Sequence, residues 1–142
     1  MENIVIIYWT ATGITEEMAK TITEGVSRVT DNYRLIPFSE VTVEDVKNAS
    51  KVMFGCPACY VETIDTIEFK PFYESVKPYL ENKDVALFGA YGWGGGRYMR
   101  DWEQDLITTT KARLFETGLD LLEGINGDYE IVFSFGKRFA SL

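Results

Sequence analysis

The feature that most constrains this chain is an alternation. Short runs of nearly unbroken apolar residues are each followed by a stretch whose apolar residues recur every three or four positions. The runs Asn3–Trp9, Tyr33–Phe38, Lys51–Gly55 and Asp84–Ala90 are rich in Val, Ile, Leu and Phe and have the length of strands. A fifth is expected near Leu119–Leu122, just past Gly118, with Lys111–Phe115 a weaker candidate for the same place. Near-continuous apolarity means that both faces of each strand are buried. Helical spacing appears between the runs, at Met18, Ile22 and Val26; at Phe69, Phe72, Val76 and Leu80; at Met99, Trp102 and Leu106; and at Ile131, Phe135 and Phe139. The short Val43–Lys47 segment is the remaining helix. Strands that alternate with helices pair in parallel, because each crossover is right-handed and lays its helix on a sheet face. The expectation is an α/β fold, a three-layer doubly wound parallel sheet of five strands. With 142 residues, no internal repeat and no Pro/Ser/Gly linker, residues 1–142 read as a single domain.

Absences narrow the chemistry. The chain has no histidine, which removes Ser-His-Asp triads, HExxH zinc sites and histidine proton shuttles together. Two cysteines are too few for a four-thiolate zinc or iron–sulfur site, so no metal is expected. Against 22 acidic residues stand 14 basic ones, a net charge of -8 that repels phosphate backbones and phospholipid head groups. Nucleic acid and membrane are therefore excluded as expected partners, and proteins with a basic face are favoured. No apolar run approaches the ~20 residues of a membrane span. Met1-Glu2-Asn3 provides no basic flank for a secretory signal, so the expected location is cytoplasmic.

Doubly wound sheets bind ligands at the carboxyl ends of their strands, and three loops there are unusual. After the first strand comes Thr10-Ala11-Thr12-Gly13-Ile14-Thr15, where hydroxyls and helix-start amides can form a socket for one phosphate. Neither GxxxxGK[ST] nor GxGxxG is present, which argues against a polyphosphate. The alternative is that the hydroxyls merely cap the helix. After the fourth strand, Ala90-Tyr91-Gly92-Trp93-Gly94-Gly95-Gly96 offers a backbone open to close approach and a flat indole for a planar ring. After the third strand, Pro57-Ala58-Cys59-Tyr60-Val61-Glu62 supplies an aromatic ring and a carboxylate able to accept from a ring N–H. The CPAC stretch, Cys56 to Cys59, matches a thioredoxin-like dithiol in spacing, but it follows a strand rather than opening a helix, so two incidental cysteines is the better reading. A phosphate tail and a flat hydrogen-bonding head together describe flavin mononucleotide (FMN).

At these residues the sequence resembles the flavodoxins, in particular the short-chain clostridial kind. The phosphate loop T/S-x-T-G-x-T is matched by Thr10, Thr12, Gly13 and Thr15, and the run Val85 to Gly94 with Gly96-Arg97-Tyr98-Met99-Arg100-Asp101 matches the family's fourth strand and flavin loop. Glu68 to Phe72 and the closing Phe135-Gly136-Lys137-Arg138 are similar as well. The resemblance implies the strand order 2-1-3-4-5, noncovalent FMN, and low-potential one-electron transfer between redox enzymes by a monomer without turnover of its own. By position it implies that Thr10, Ala11, Thr12, Gly13, Ile14 and Thr15 hold the phosphate and that Trp93 stacks on the outer flavin face. Glu62 would accept from ring N3, the backbone around Gly92 and Gly94 would meet the pyrimidine edge, and Ala58 and Cys59 would cover the other face, with Pro57, Tyr60, Val61, Ala90, Tyr91 and Gly96 as further cofactor-binding residues.

Two departures stand out. Where short-chain relatives carry Gly followed by Asp or Asn, at a peptide that flips on reduction, this chain has Tyr60 and Val61. A β-branched residue at positive φ is strained by about 1–3 kcal/mol, which predicts weaker stabilisation of the neutral one-electron-reduced flavin. Ile14 replaces a common Asn, at a cost of about 0.5–1.5 kcal/mol for one lost hydrogen bond. The rival readings are a flavodoxin-like NAD(P)H or quinone oxidoreductase and a flavin-free binding module. A response-regulator receiver is disfavoured because Tyr8-Trp9-Thr10 and Gly55-Cys56-Pro57 end the strands where its acidic residues belong.

Overall fold

The computed structural model describes residues 3–59 and 62–142. The strands are β1 (Ile4–Tyr8), β2 (Tyr33–Pro37), β3 (Lys51–Gly55), β4 (Asp84–Tyr91), β5 (Arg113–Leu114) and β6 (Leu119–Leu122). The helices are α1 (Ile14–Ser27), α2 (Val43–Lys47), α3 (Phe69–Val76), α4 (Arg97–Thr109) and α5 (Tyr129–Ala140). All strand pairs are parallel, in the order β2-β1-β3-β4-β5, with β6 also pairing β4.

Both candidates for the fifth strand are used. Arg113 and Leu114 pair with Asp84 and Val85, whereas Leu119 to Leu122 pair with Phe88 to Tyr91, so one sheet position is filled by two short segments. Phe115 N still donates to Val85 O of β4 at 2.8 Å, and its ring enters the core against the rings of Phe135 and Phe139, at centroid distances of 5.4 and 5.2 Å. Burial of that ring contributes about 1.5–3 kcal/mol, and the chain turns only at the next residue, Glu116, at φ 50°.

Alternate strand residues feed opposite cores, as the pleat requires. Val5, Ile7, Val52, Phe54, Val85 and Leu87 pack against α2, α3 and α4 through Val46, Phe69, Tyr73 and Trp102. Ile4, Ile6, Met53, Ala86 and Phe88 pack against α1 and α5 through Met18, Ile22, Val132 and Phe139. This is the expected three-layer arrangement. In α5 the buried stripe is Val132, Phe135, Gly136 and Phe139, and Ile131 is exposed, contrary to the expected spacing. The reason is Gly136, which lies so close to α1 that a Cβ there would overlap the carbonyl of Ile22 and thereby sets the face α5 presents. Among the described residues no helix is long and apolar enough to cross a membrane.

Candidate functional site

The strand exits of β1, β3, β4 and β6 converge on a cleft of about 390 Å³ at one sheet edge, a size within the ~300–1,000 Å³ range of small-molecule sites. Leaving β1, Trp9 N donates to Gly55 O at 2.9 Å, which carries the chain toward the cleft before it turns. Gly13, at φ 95°, makes the turn into α1, a conformation costly for any residue with a Cβ. The two readings of the threonine loop are separated here. No side chain caps α1. Thr10 Oγ1 accepts from Gly13 N at 2.9 Å instead. Thr15 Oγ1, on a residue 1% exposed, is buried without any partner among the described residues. The first amides of α1 and this hydroxyl are thus left to an outside acceptor, and the helix dipole favours an anion there.

The second wall continues the β3–β4 ladder beyond β3. Cys56 N donates to Phe88 O at 3.0 Å and Ala58 N to Ala90 O at 2.9 Å, so Pro57 and Ala58 lie flat along the opening. Cys59 and Thr63 then exchange backbone hydrogen bonds of 2.6 and 3.1 Å, closing a loop that carries Glu62. Tyr60 and Val61, and with them the expected peptide flip, lie outside the described residues. Glu62 takes φ 57°, and its Oε1 is buried without a partner among the described residues.

The third wall is the end of β4. Ala90, Tyr91 and Gly92 line the cleft, and Trp93 is held out with 65% of its surface exposed. Gly94, at φ 84°, lies so near Glu62 that a Cβ would overlap Oε1. Gly96 similarly approaches the Asp120 carboxylate.

Of the expected residues, Thr10, Ala11, Thr12, Ile14, Thr15, Pro57, Ala58, Cys59, Ala90, Tyr91 and Gly92 line the cleft together. Gly13 sits behind them as the turn. Glu62 is not among the residues lining the cleft; it lines a separate cavity of about 200 Å³ with Tyr98 and Trp102, while Trp93, Gly94 and Gly96 belong to the loop that follows β4. Sequence reasoning missed Trp9 and Glu123. Trp9 was visible as an aromatic residue directly before the threonine loop. Glu123 follows the fifth strand position, and its backbone N donates to Tyr91 O at 2.8 Å; the loop after that strand reaches the same edge as the other three.

Among the described residues the cleft is lined by no Lys or Arg, and its one carboxylate is Glu123. Cys56 is fully buried, and burial pushes its thiol well up. The Cys56 thiol beside Cys59 lowers the Cys59 pKa in turn. Both cysteines are free. Tyr98 donates to Cys56 O at 3.1 Å, and burial raises its own pKa.

A buried polar atom without a partner costs about 1–3 kcal/mol, and two of them flank this edge. Thr15 Oγ1 calls for an acceptor, and Glu62 Oε1 for a donor. A phosphate group has the acceptors that the Thr15 end of the cleft lacks, and a ring N–H is the kind of donor that Glu62 Oε1 lacks; FMN carries both groups on a flat heterocycle.

Comparison with known proteins agrees. The flavodoxin family model matches residues 6–130. The flavodoxin of Clostridium beijerinckii is 34% identical over 137 residues, which is 96% of this chain and 99% of that one. The flavodoxin of Megasphaera elsdenii is 37% identical over 99 residues, 70% of this chain and 72% of that one. The solution structure of the two-electron reduced Megasphaera elsdenii flavodoxin superposes with a TM-score of 0.87 at 30% identity, covering 98% and 99% of the two chains. The chain belongs to the flavodoxin family, in its short-chain branch, the FMN-binding proteins of electron transfer.

Proposed function

We propose that this chain, a single domain acting as a cytoplasmic monomer, holds FMN in the cleft and passes single electrons at low potential between basic-faced redox proteins, with no substrate turnover of its own. The observation that carries the reading is the buried, unpartnered Thr15 hydroxyl at the uncapped start of α1. Bound FMN supplies reversible one-electron chemistry.

The chain's own residues bind, orient and tune. Thr15 donates its hydroxyl hydrogen to the phosphate, and the amides following Gly13 add to the same cradle. Thr10 holds the Gly13 turn in shape through its hydrogen bond. Glu62 Oε1 accepts a ring N–H and fixes the orientation of the head. Pro57, Ala58 and Tyr91 exclude water from the walls, and the exposed Trp93 offers its face for stacking. With no Lys or Arg among the described residues lining the cleft and a chain of net charge -8, added negative charge is disfavoured, which lowers the potential. The same charge steers basic partners to the protein.

Mixing reduced holoprotein with a basic one-electron acceptor protein tests this. The reading requires rapid oxidation that slows as ionic strength rises, and no NADPH consumption by the protein alone. Catalytic NADPH oxidation without a partner would identify an oxidoreductase instead.

A further inference from the structure

A second groove of about 450 Å³ opens beside the cleft, between the C-terminal ends of β1 and β2. Trp9 and Thr10 border both openings, so they form a shared wall. The groove is aromatic, with Tyr8, Trp9 and Phe38 lining it. Phe38 is fixed from behind by Phe69 and Phe72, at ring-centroid distances of 6.2 and 5.8 Å. Two carboxylates reach in from separate elements. Glu16 of α1 accepts from the Tyr8 hydroxyl at 2.9 Å, and Glu68, just before α3, accepts from Trp9 Nε1 at 3.1 Å. Each carboxylate keeps its second oxygen without a partner among the described residues; Lys20 stands 3.7 Å from the already bonded oxygen of Glu16. Among the described residues no Lys or Arg lines the groove. Burial, reinforced by the carboxylates of Glu16 and Glu40, pushes the Tyr8 hydroxyl up to about 12, as expected where the local field is negative.

We propose that this groove receives an arginine side chain of the redox partner, its guanidinium lying against the Trp9 and Phe38 rings and donating to the free oxygens of Glu16 and Glu68. The assignment rests on the carrier reading and names the anchor by which a partner engages beside the cofactor. Charge complementarity selects a cation. The pairing of aromatic rings with two separately mounted carboxylates selects a guanidinium over an ammonium, because the guanidinium is planar, weakly hydrated and carries several donors in a fixed fork. An anchor seated here lies across Trp9 from the FMN cleft, and that places the partner's surface next to the flavin.

The test titrates ¹⁵N-labelled holoprotein with a blocked tri-arginine peptide and a tri-lysine peptide of equal charge, following the Trp9 indole N–H. Flavin absorbance recorded beforehand reports the carrier reading separately: a chain without FMN fails there, whatever the peptides do. The expected result is a saturable shift of the Trp9 signal, with arginine binding more tightly than lysine. Glu16→Gln with Glu68→Gln weakens the arginine peptide by about tenfold, the sum of two modest ion pairs. Asp31→Asn with Glu81→Gln removes equal charge at the opposite sheet edge and leaves affinity within about twofold. Equal weakening by the two double variants, a lysine peptide that binds as tightly, or an unmoved Trp9 signal in yellow protein would overturn the proposal.

Discussion

The Glu62 carboxylate occupies the space in which a side chain on Gly94 would begin. Both residues have positive φ, 57° and 84°, so the loops after β3 and β4 meet through two left-handed residues and one buried acceptor. Gly94→Ala therefore adds both backbone strain and a direct overlap. The expected effect is a loss of FMN affinity of at least about tenfold, corresponding to ~1–3 kcal/mol of strain, with the isolated fold intact. Fluorescence titration of the variant apoprotein measures it, and wild-type affinity would show that the contact is dispensable.

Thr15 should give opposite signs in two experiments. In the FMN-free chain its buried hydroxyl has no partner, so Thr15→Val leaves apoprotein stability unchanged or raises it. The same change weakens FMN by about 0.5–1.5 kcal/mol through the lost hydrogen bond. Urea unfolding of the apoprotein and FMN titration, run side by side, check the pair. A destabilised apoprotein with unchanged FMN affinity would contradict the assignment.

How much of this was legible depended on whether the signal lay in local pattern. The strands β1, β3 and β4 declare themselves because their residues are buried on both faces, and the Gly13 turn because its flanking threonines are so regular. The division of the fifth strand was not legible, since the ladder to β4 lapses only after Phe115, whose ring is held by the distant Phe135 and Phe139. Ile131 was misjudged for a similar reason: the face of α5 is set by contact of Gly136 with the backbone of Ile22. Trp9 and Glu123 were missed because membership of the cleft depends on which strand ends are neighbours, which no local window contains.

Gly136→Ala tests that helix contact. The added methyl meets the Ile22 carbonyl, a backbone atom that moves only with α1. Forcing the helices apart is expected to destabilise the protein by about 1–3 kcal/mol, although Ala is the better helix former. Urea denaturation reads the outcome directly; a stabilised variant would mean that the two helices tolerate the shift.

Alkaline stability should depend on Tyr8. Burial, then the hydrogen bond to Glu16 and neighbouring carboxylates, raise its pKa from 10.0 to about 12. Below pH 10 both folded and unfolded states keep the proton. Between about 10 and 12 the unfolded chain ionises first, so stability falls as pH rises through this window. Burial shifts Tyr73 and Tyr98 in the same direction, so Tyr8→Phe should flatten only part of the decline. Unfolding midpoints at pH 9 and pH 11 for both proteins measure it, and identical slopes would refute the Tyr8 contribution.

The most direct measurement of the central claim is titration of FMN fluorescence with apoprotein. Seating the ring beside Trp9 and Trp93, with the phosphate at Thr15, predicts quenching that saturates at one FMN per chain. Emission that stays constant as apoprotein is added would contradict the account.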